Sequence, residues 1–474
     1  MARETPLSGW RVALSGGVDS VVLLAALVDL RRTRKRWRDV PLRALHVHHG
    51  LRPAADDWAR HCRTLCRELG VPLQVRRVRV ASGTGASLEA EARRARYAAL
   101  ERGLRRDEWL LTAHHVDDQL ETMLLQWMRG AGVAGLAAMP QRAAFARGWL
   151  MRPLLSMSRD ELLLLARAQR LAWVEDDSNV DERFERNYVR ARVLPILRAR
   201  WPAAARVAAR SAGHLGEAKE LLEEIAALDV AGLCAPGGAV ELSKLALLSI
   251  ARQRNALRHW LTARGLTMPD TVHLERIRVE LSAARTDAQP LVRWAGGEVR
   301  RFRGRLYAFT AAQSAALALR PHEAQRALLQ PSLQPSLKLW DWRRRKRFEL
   351  AENRGVLRLV ADPHGNIDGA KLPAKLWVGL RAGGEKIRIV ASGPHRAVKE
   401  LLRNAAVPPW ERERLPLLHA QPAGGVSTDA SGSAQPASAL IAVGDLFVDA
   451  SVQVRLEAPP TRGRFRLEWE GRFW

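Results

Sequence analysis

Residues 11–29, RVALSGGVDSVVLLAALVD, decide how this chain of 474 residues is read. Val12, Ala13 and Leu14 form a short apolar run suited to a buried strand. Ser15-Gly16-Gly17-Val18-Asp19-Ser20 interrupts it, and Val21 to Val28 resumes at the density of a buried helix. Strand, glycine turn and helix in that order gather free backbone N–H groups at a helix N-terminus, which is an anion site. Gly16 and Gly17 permit close backbone approach, and Ser15 and Ser20 add hydroxyl donors. Asp19 can hold Mg²⁺ against phosphate oxygens. No lysine follows the loop, so it is not a Walker-type phosphate loop. The expected ATP-binding residues are Ser15, Gly16, Gly17, Val18, Asp19 and Ser20, with Asp19 also the metal ligand.

Outward from that stretch, further strands carry chemistry at their ends. Leu42 to Val47 reads as a strand that closes in His46-Val47-His48-His49. In an open α/β sheet such ends line the ligand crevice, so His46 is expected against adenine. Cys62 and Cys66, four apart on the next helix, read as buried small hydrophobes. Pro72 to Val80 is another strand, and Ser87 caps a helix carrying Glu89, Arg93, Arg96 and Tyr97. Leu110 to Ala113 leads into His114-His115-Val116-Asp117-Asp118-Gln119-Leu120-Glu121-Thr122. Capping favours Asp at such a helix start, worth ~1 kcal/mol. Two adjacent Asp and two His exceed what a cap needs. Arg129 precedes GAGVAGLAAM, a candidate lid or crossing loop. An acidic turn at Glu175–Asp177 precedes Arg186-Asn187-Tyr188-Val189-Arg190. Four strands alternating with helices predict a doubly wound parallel sheet over residues 1–192.

Beyond it we expect a helical connector at 193–225 and a mostly helical part at 226–310, with a hairpin turning at Gly296-Gly297. A linker with strands at 311–370 and an α+β domain at 371–474 complete the chain. Within the last, Gln421 to Ala439 reads as a surface insertion. The chain is 47% hydrophobic and 27% charged, ordinary for a globular protein. No apolar run reaches a membrane span, and the start MARETPLSGW lacks a signal-peptide pattern; a cytoplasmic protein with no membrane partner is expected. Three cysteines exclude a disulfide framework. The net charge of +26, from 76 basic against 50 acidic residues, points to nucleic acid. Arginine dominates the basic set, and its fork suits phosphate. The run Arg31–Arg38 is a solvated loop or an RNA contact, and Arg343–Arg347 is a second basic run.

SGGVDS resembles the PP-loop of the ATP pyrophosphatases, enzymes that cleave ATP between its α and β phosphates. The longer pattern resembles the tRNA(Ile)-lysidine synthetases over nearly the whole chain. It includes H-x-x-H-G-L-R at His46–Arg52, E-x-x-A-R-x-x-R-Y at Glu89–Tyr97 and H-x-x-D-D-Q-x-E-T at His114–Thr122. R-G-x-G at Arg129, R-P-L-L at Arg152, D-x-S-N at Asp176 and R-N-x-x-R at Arg186 follow. Further matches are W-x-G-x-x-x-R-R-x-R-G-x-L-Y at Trp294–Tyr307, R-x-G-G-E at Arg381 and V-P-P-W-x-R-x-x-x-P-L-L at Val407–Leu418.

The resemblance implies ATP-dependent adenylation of the wobble cytidine of the isoleucine tRNA with a CAU anticodon. Free L-lysine then attacks C2, displaces AMP and leaves lysidine. It implies ATP and Mg²⁺ as cofactors. It further implies catalytic roles for Asp118, Asp117, Asp19, Arg93 and Arg96, with Asp118 the chosen base for lysine. Arg129, Arg186, Asn187 and Arg190 would contact tRNA or lysine. A monomer and a homodimer both stay open. The alternative, a PP-loop tRNA thiolation enzyme, would need C-x-x-C pairs, which Cys62 and Cys66 do not supply. An amidotransferase would need a glutaminase domain, and a non-catalytic RNA binder leaves SGGVDS and HHVDDQLET unexplained.

Overall fold

A computed structural model of the chain describes residues 7–50, 54–79, 88–175, 181–235, 237–283, 285, 290–318, 337–351, 354–381, 383–420, 426–428, 434–436, 439–454 and 463–471. It divides into two compact units, Met1–Leu222 and Glu223–Trp474. The Asp176–Asn179 motif, the Ser87 cap, Leu51 and Arg52, residues 319–336 of the expected linker and most of the surface insertion lie outside the described residues.

The first unit is built on β1 (Gly9–Ala13), buried at every position because it lies in the middle of a sheet covered on both faces. α1 (Val18–Thr33) follows the glycine turn, then β2 (Leu42–His48), α2 (Ala55–Glu68) and β3 (Leu73–Arg77). Next come α3 (Leu88–Glu101), β4 (Glu108–Leu111), α4 (Val116–Met128) and a one-turn α5 (Val133–Leu136). β5 (Arg142–Phe145), β6 (Gly148–Met151) and α6 (Arg159–Ala168) complete the sheet region. Strand order is β3-β2-β1-β4-β6-β5. Every neighbouring pair is parallel except β5–β6.

The doubly wound α/β expectation holds, with two strands more than the four expected. The missed pair is an Ala-rich edge hairpin, RAAFARGWLM, half exposed and weak in strand-forming residues. The stretch expected as a lid or crossing loop holds the one-turn α5, and the Gln119 side chain pins its end like a backbone pair. Its amide donates to the Met139 carbonyl at 2.8 Å and its oxygen accepts the Met139 N–H at 2.9 Å. α7 (Glu185–Tyr188), a π-helical turn at Val189–Val193, α8 (Leu194–Arg200) and α9 (Ala204–Leu233) follow.

In the second unit β7 (Val240–Glu241), α10 (Leu242–Leu245), α11 (Ile250–Ala263) and α12 (Thr271–Ala283) precede β8 (Leu291–Trp294), β9 (Gly297–Phe302) and β10 (Arg305–Thr310). The expected single hairpin is therefore a three-stranded meander, joined by β7 in the order β7-β10-β9-β8. Its second turn, at Arg303-Gly304, lay hidden within a run of arginines.

Strands expected within 311–370 pair with strands beyond residue 371. β11 (Lys338–Trp340) pairs with Leu376–Leu380, and Val356–Ala361 pairs with Arg464–Glu470. One core holds Trp340, Trp342, Leu357 and Leu359 together with Leu417, Val443 and Trp469. The strands before 371 thus complete the sheets after it. Trp410 packs edge-on against Phe302, Tyr307 and Phe309, with ring centroids 5.9, 5.4 and 5.8 Å away.

Candidate active site

The C-terminal ends of β1, β2, β4 and β6 open on one crevice, where the phosphate loop meets the start of α4. Gly16 turns the loop with φ +96°, and a Cβ there would stand 3.0 Å from Val174 Cγ2 and 3.2 Å from Cys62 Sγ. Conformation and space both demand glycine. The Val174 N–H donates to the Gly16 carbonyl at 3.0 Å. Ser20 Oγ accepts the Ser15 and Gly16 N–H groups, each at 3.2 Å, and donates to the Gly17 carbonyl at 2.9 Å. Ser20 therefore braces the loop from inside. Ser15, with its Oγ 3.0 Å from that of Ser20, is exposed. Gly17 caps α1 without a side-chain hydrogen bond, so the first-turn N–H groups, Val18 and Asp19 among them, are left for an anion.

His46 is 4% exposed. Its Nδ1 donates to the Leu14 carbonyl at 2.9 Å, and Cys62 Sγ lies 3.6 Å from the same nitrogen. Burial pushes this imidazole below its ordinary range, so it is neutral and fastens the strand end beneath the loop. Burial likewise pushes the Cys62 thiol up to about 12 and the Cys66 thiol up to about 11. Both are small hydrophobes at neutral pH.

Asp19 Oδ1 is buried with no hydrogen-bond partner among the described residues, while Oδ2 lies 3.8 Å from His115 Nε2. Burial raises the Asp19 carboxyl, opposed by His115. His115, 3% exposed, stands among three carboxylates, with Asp118 Oδ2 3.5 Å from Nε2 and Asp117 Oδ2 3.4 Å from Nδ1. Burial opposes its charge, yet Asp117, Asp118 and Asp19 together raise it above the ordinary imidazole range. His115 thus stands between the loop carboxylate and the acids of α4.

Those acids have further partners. Asp117 accepts the Arg159 N–H at 2.9 Å and Arg198 Nη2 at 2.6 Å. Burial works against its charge, but His115, Arg159 and Arg198 hold it well below the usual carboxylate range. Asp118 caps α4 by accepting the His115 N–H at 3.0 Å, and its other oxygen faces Arg186 at 3.1 Å and Arg190 at 3.5 Å. Burial again opposes ionisation, and His115 and Arg186 outweigh it. Glu121, 1% exposed, accepts Arg186 Nε at 2.8 Å, Arg190 Nε at 2.7 Å and Arg190 Nη2 at 2.9 Å. His114 shares a 2.9 Å hydrogen bond with Thr112, and burial takes it down to about 3.

A second group of cations gathers beside them. Arg93 lies over the Tyr97 ring at 5.0 Å. Burial lowers the Arg96 guanidinium; Tyr97 raises it, and Arg93 and Arg186 lower it further. Arg152 is 7% exposed, donates to the Pro140 carbonyl at 2.7 Å and keeps its Nε buried without a partner among the described residues. Arg93 works against the charge of both Arg96 and Arg152, and such crowding of cations suits an anionic ligand.

Of the expected site residues, Ser15 to Ser20, Asp117, Asp118, Arg186 and Arg190 come together with His46 beneath them, and Arg93 and Arg96 adjoin. Arg129 does not join them; it pairs with Glu185 on the surface at 2.5 Å. Asn187 donates to the Asp181 carbonyl at 3.0 Å. His115, Glu121, Arg152 and Arg198 were missed. The first three stand inside motifs quoted from the sequence, but partners such as Arg186, 65 residues beyond Glu121, are not legible in a linear pattern.

The family pattern described as a PP-loop domain matches residues 1–197. A TilS substrate binding domain matches 241–307, and a TilS substrate C-terminal domain matches 376–469. The chain is 41% identical over 413 residues to a tRNA(Ile)-lysidine synthase of Alkalilimnicola ehrlichii, covering 87% of each chain. It is 39% identical to that of Coxiella burnetii, over 88% of this chain and 87% of the relative. It is 42% identical to that of Pseudomonas putida, over 86% and 90%.

Proposed function

The chain belongs to the tRNA(Ile)-lysidine synthase family, and from that premise we propose how its crevice performs the reaction. The protein is an ATP-dependent ligase that forms lysidine on tRNA(Ile). The observation that carries the mechanism is His115, whose Nε2 lies 3.8 Å from Asp19 of the phosphate loop and 3.5 Å from Asp118 of α4. That proximity supports a reading in which the two half-reactions run side by side, with ATP at the loop and lysine at the helix.

In this proposal the first-turn N–H groups of α1 and the Ser15 hydroxyl bind the phosphates of ATP. Asp19, with an unpartnered buried oxygen, fits Mg²⁺ as a single protein ligand. Among the described residues no three His, Cys, Asp or Glu side chains form a protein cage. The remaining ligands would come from phosphate oxygens and water, the usual habit of this ion. When bound, Mg²⁺ neutralises charge developing on pyrophosphate. The cations Arg93, Arg96 and Arg152 orient the phosphate of the adenylated cytidine or the carboxylate of lysine.

Asp118, held ionised by His115, Arg186 and Arg190, is a poor free base. Its role in this proposal is to orient the lysine amine and accept its proton as the bond to C2 of the wobble cytidine forms. The tRNA with the CAU anticodon and free L-lysine are the partners. A thiolation reaction is disfavoured because Cys62 and Cys66 are protonated and buried.

The test is trapping of AMP on tRNA(Ile) with lysine omitted. The parent protein accumulates label from [α-³²P]ATP on the tRNA, and Asp19→Ala gives none. Labelled tRNA formed at the parent rate by the variant would remove Asp19 from the first step.

A further inference from the structure

Tyr97 joins two of the arginines that flank the crevice. α3 sets its ring against the core cluster of Ala13, Leu45, Leu100, Leu110 and Leu150, where Phe145 meets it edge-on with ring centroids 6.1 Å apart. The hydroxyl oxygen is therefore held by a packed ring. It accepts Arg93 Nη2 at 3.4 Å and also accepts an N–H of the Arg152 guanidinium. A phenol oxygen that accepts from two guanidiniums has its own proton left to give. That proton and the two cations suit an anion.

Arg152 is fixed from the other side as well. It follows β6, its backbone N–H donates to the Gln141 carbonyl at 2.9 Å, and its Nη1 donates to the Pro140 carbonyl at 2.7 Å. Met139, the residue before Pro140, is held by the Gln119 side chain at 2.8 and 2.9 Å. Gln119 follows Asp118 on α4. A chain of hydrogen bonds thus runs from the helix that carries the proposed lysine base to the arginine beside Tyr97. His114 feels both ends of it: burial holds the imidazole down, Asp118 raises it, and Arg152 and Arg96 lower it again.

Arg152 also keeps a donor in reserve. The residue is 7% exposed, and its Nε is buried without a partner among the described residues. A guanidinium edge left so is costly unless a ligand fills it, and its planar fork matches a planar carboxylate. The phosphates of ATP have donors of their own at the N-terminus of α1. The anion left for this corner is the carboxylate of lysine, which a four-carbon stem separates from the reacting amine.

We propose that Tyr97 is a positioning residue for lysine, holding Arg93 and Arg152 as the fork that receives the α-carboxylate while the ε-amine lies at Asp118. The proposal rests on the reading above that puts lysine at the start of α4. It makes the enzyme select a carboxylate at a set distance from the amine, rather than a primary amine alone.

The test measures kcat/KM of the full chain, with ATP and a tRNA(Ile) transcript, for L-lysine and for L-lysinamide. The amide keeps the amine and the stem but lacks the carboxylate. The parent protein should prefer L-lysine by about 100-fold. Tyr97→Phe keeps the ring and its packing and removes only the hydroxyl. It should raise KM for L-lysine and cut the preference about tenfold, the worth of a hydrogen bond to a charged group, at unchanged kcat. Labelled AMP should accumulate on the tRNA at the parent rate when lysine is omitted, which also shows that the variant is folded. Arg152→Gln, which removes the guanidinium itself, should cut the preference further. An unchanged preference in Tyr97→Phe would overturn the proposal. So would slower adenylation with the preference intact, which would give the corner to a phosphate. A parent that makes no lysidine would overturn it together with the reading it rests on, whereas lysidine formation with equal use of L-lysinamide would overturn it alone.

Discussion

His115 shows how much of the crevice rests on a residue that the sequence presents only as one of a histidine pair. It stands within 3.8 Å of three carboxylates, which raise its affinity for a proton in a site of low dielectric. Asp117 and Asp118 were legible as a pair, but their separate duties were not, because adjacent positions on a helix point to different surroundings. Asp118 meets Arg186 and Arg190, and if it takes the lysine proton as proposed, Asp118→Asn should leave adenylated tRNA forming while transfer to lysine slows by about 10²–10⁴-fold. Rapid quench of AMP-tRNA decay after lysine addition measures it, and absence of the adenylated species would move Asp118 into the first step. Asp117 instead ties α4 to Arg159 and Arg198. Its folded carboxyl titrates below the unfolded value of about 3.9, so the stability it contributes is present above that pH and is lost as pH falls. The difference in urea midpoint between parent and Asp117→Asn should therefore be full at neutral pH and shrink progressively below pH ~4.

At the scale of elements, α4 is the clamp of the catalytic unit. Glu121 receives three N–H groups from Arg186 and Arg190, the second on the π-helical turn at Val189–Val193, a feature that recurs at functional sites. Glu121→Gln leaves both guanidiniums short of a counter-charge and should cost roughly 2–3 kcal/mol, less than a fully buried pair because the arginines are part-exposed. Chemical denaturation checks this; a change under about 0.5 kcal/mol, the range of an ordinary surface substitution, would contradict the clamp. The glycine loop, α1 and the parallel strands were legible because apolar runs and glycine punctuation act locally. The β5–β6 hairpin was not, since its alanines carry little strand preference and only pairing with β4 makes it a strand. Ser20 was read as a phosphate donor, but its hydroxyl is used within the loop, a choice set by Gly16 and Gly17 geometry rather than by residue type.

The whole molecule carries +26 charge, and that number foretold an RNA partner without saying where it binds. Boundaries were the least legible feature. Strands on either side of residue 371 pair across long sequence distances, as Leu357 with Trp469, and hydrogen-bonding partners that remote leave no trace in local composition. Truncation at 371 should therefore break both C-terminal sheets, and a lower strand content in the far-ultraviolet circular dichroism of the shortened chain checks this. The central claim concerns the reaction itself: one crevice activates cytidine with ATP and passes it to lysine. It is tested most directly by incubating the intact protein with ATP, L-lysine and a tRNA(Ile) transcript bearing CAU, then analysing the wobble nucleoside by mass spectrometry. The account predicts lysidine at that position, with one AMP and one pyrophosphate released for each lysine incorporated. Pyrophosphate release with an unmodified or sulfur-containing cytidine would contradict it.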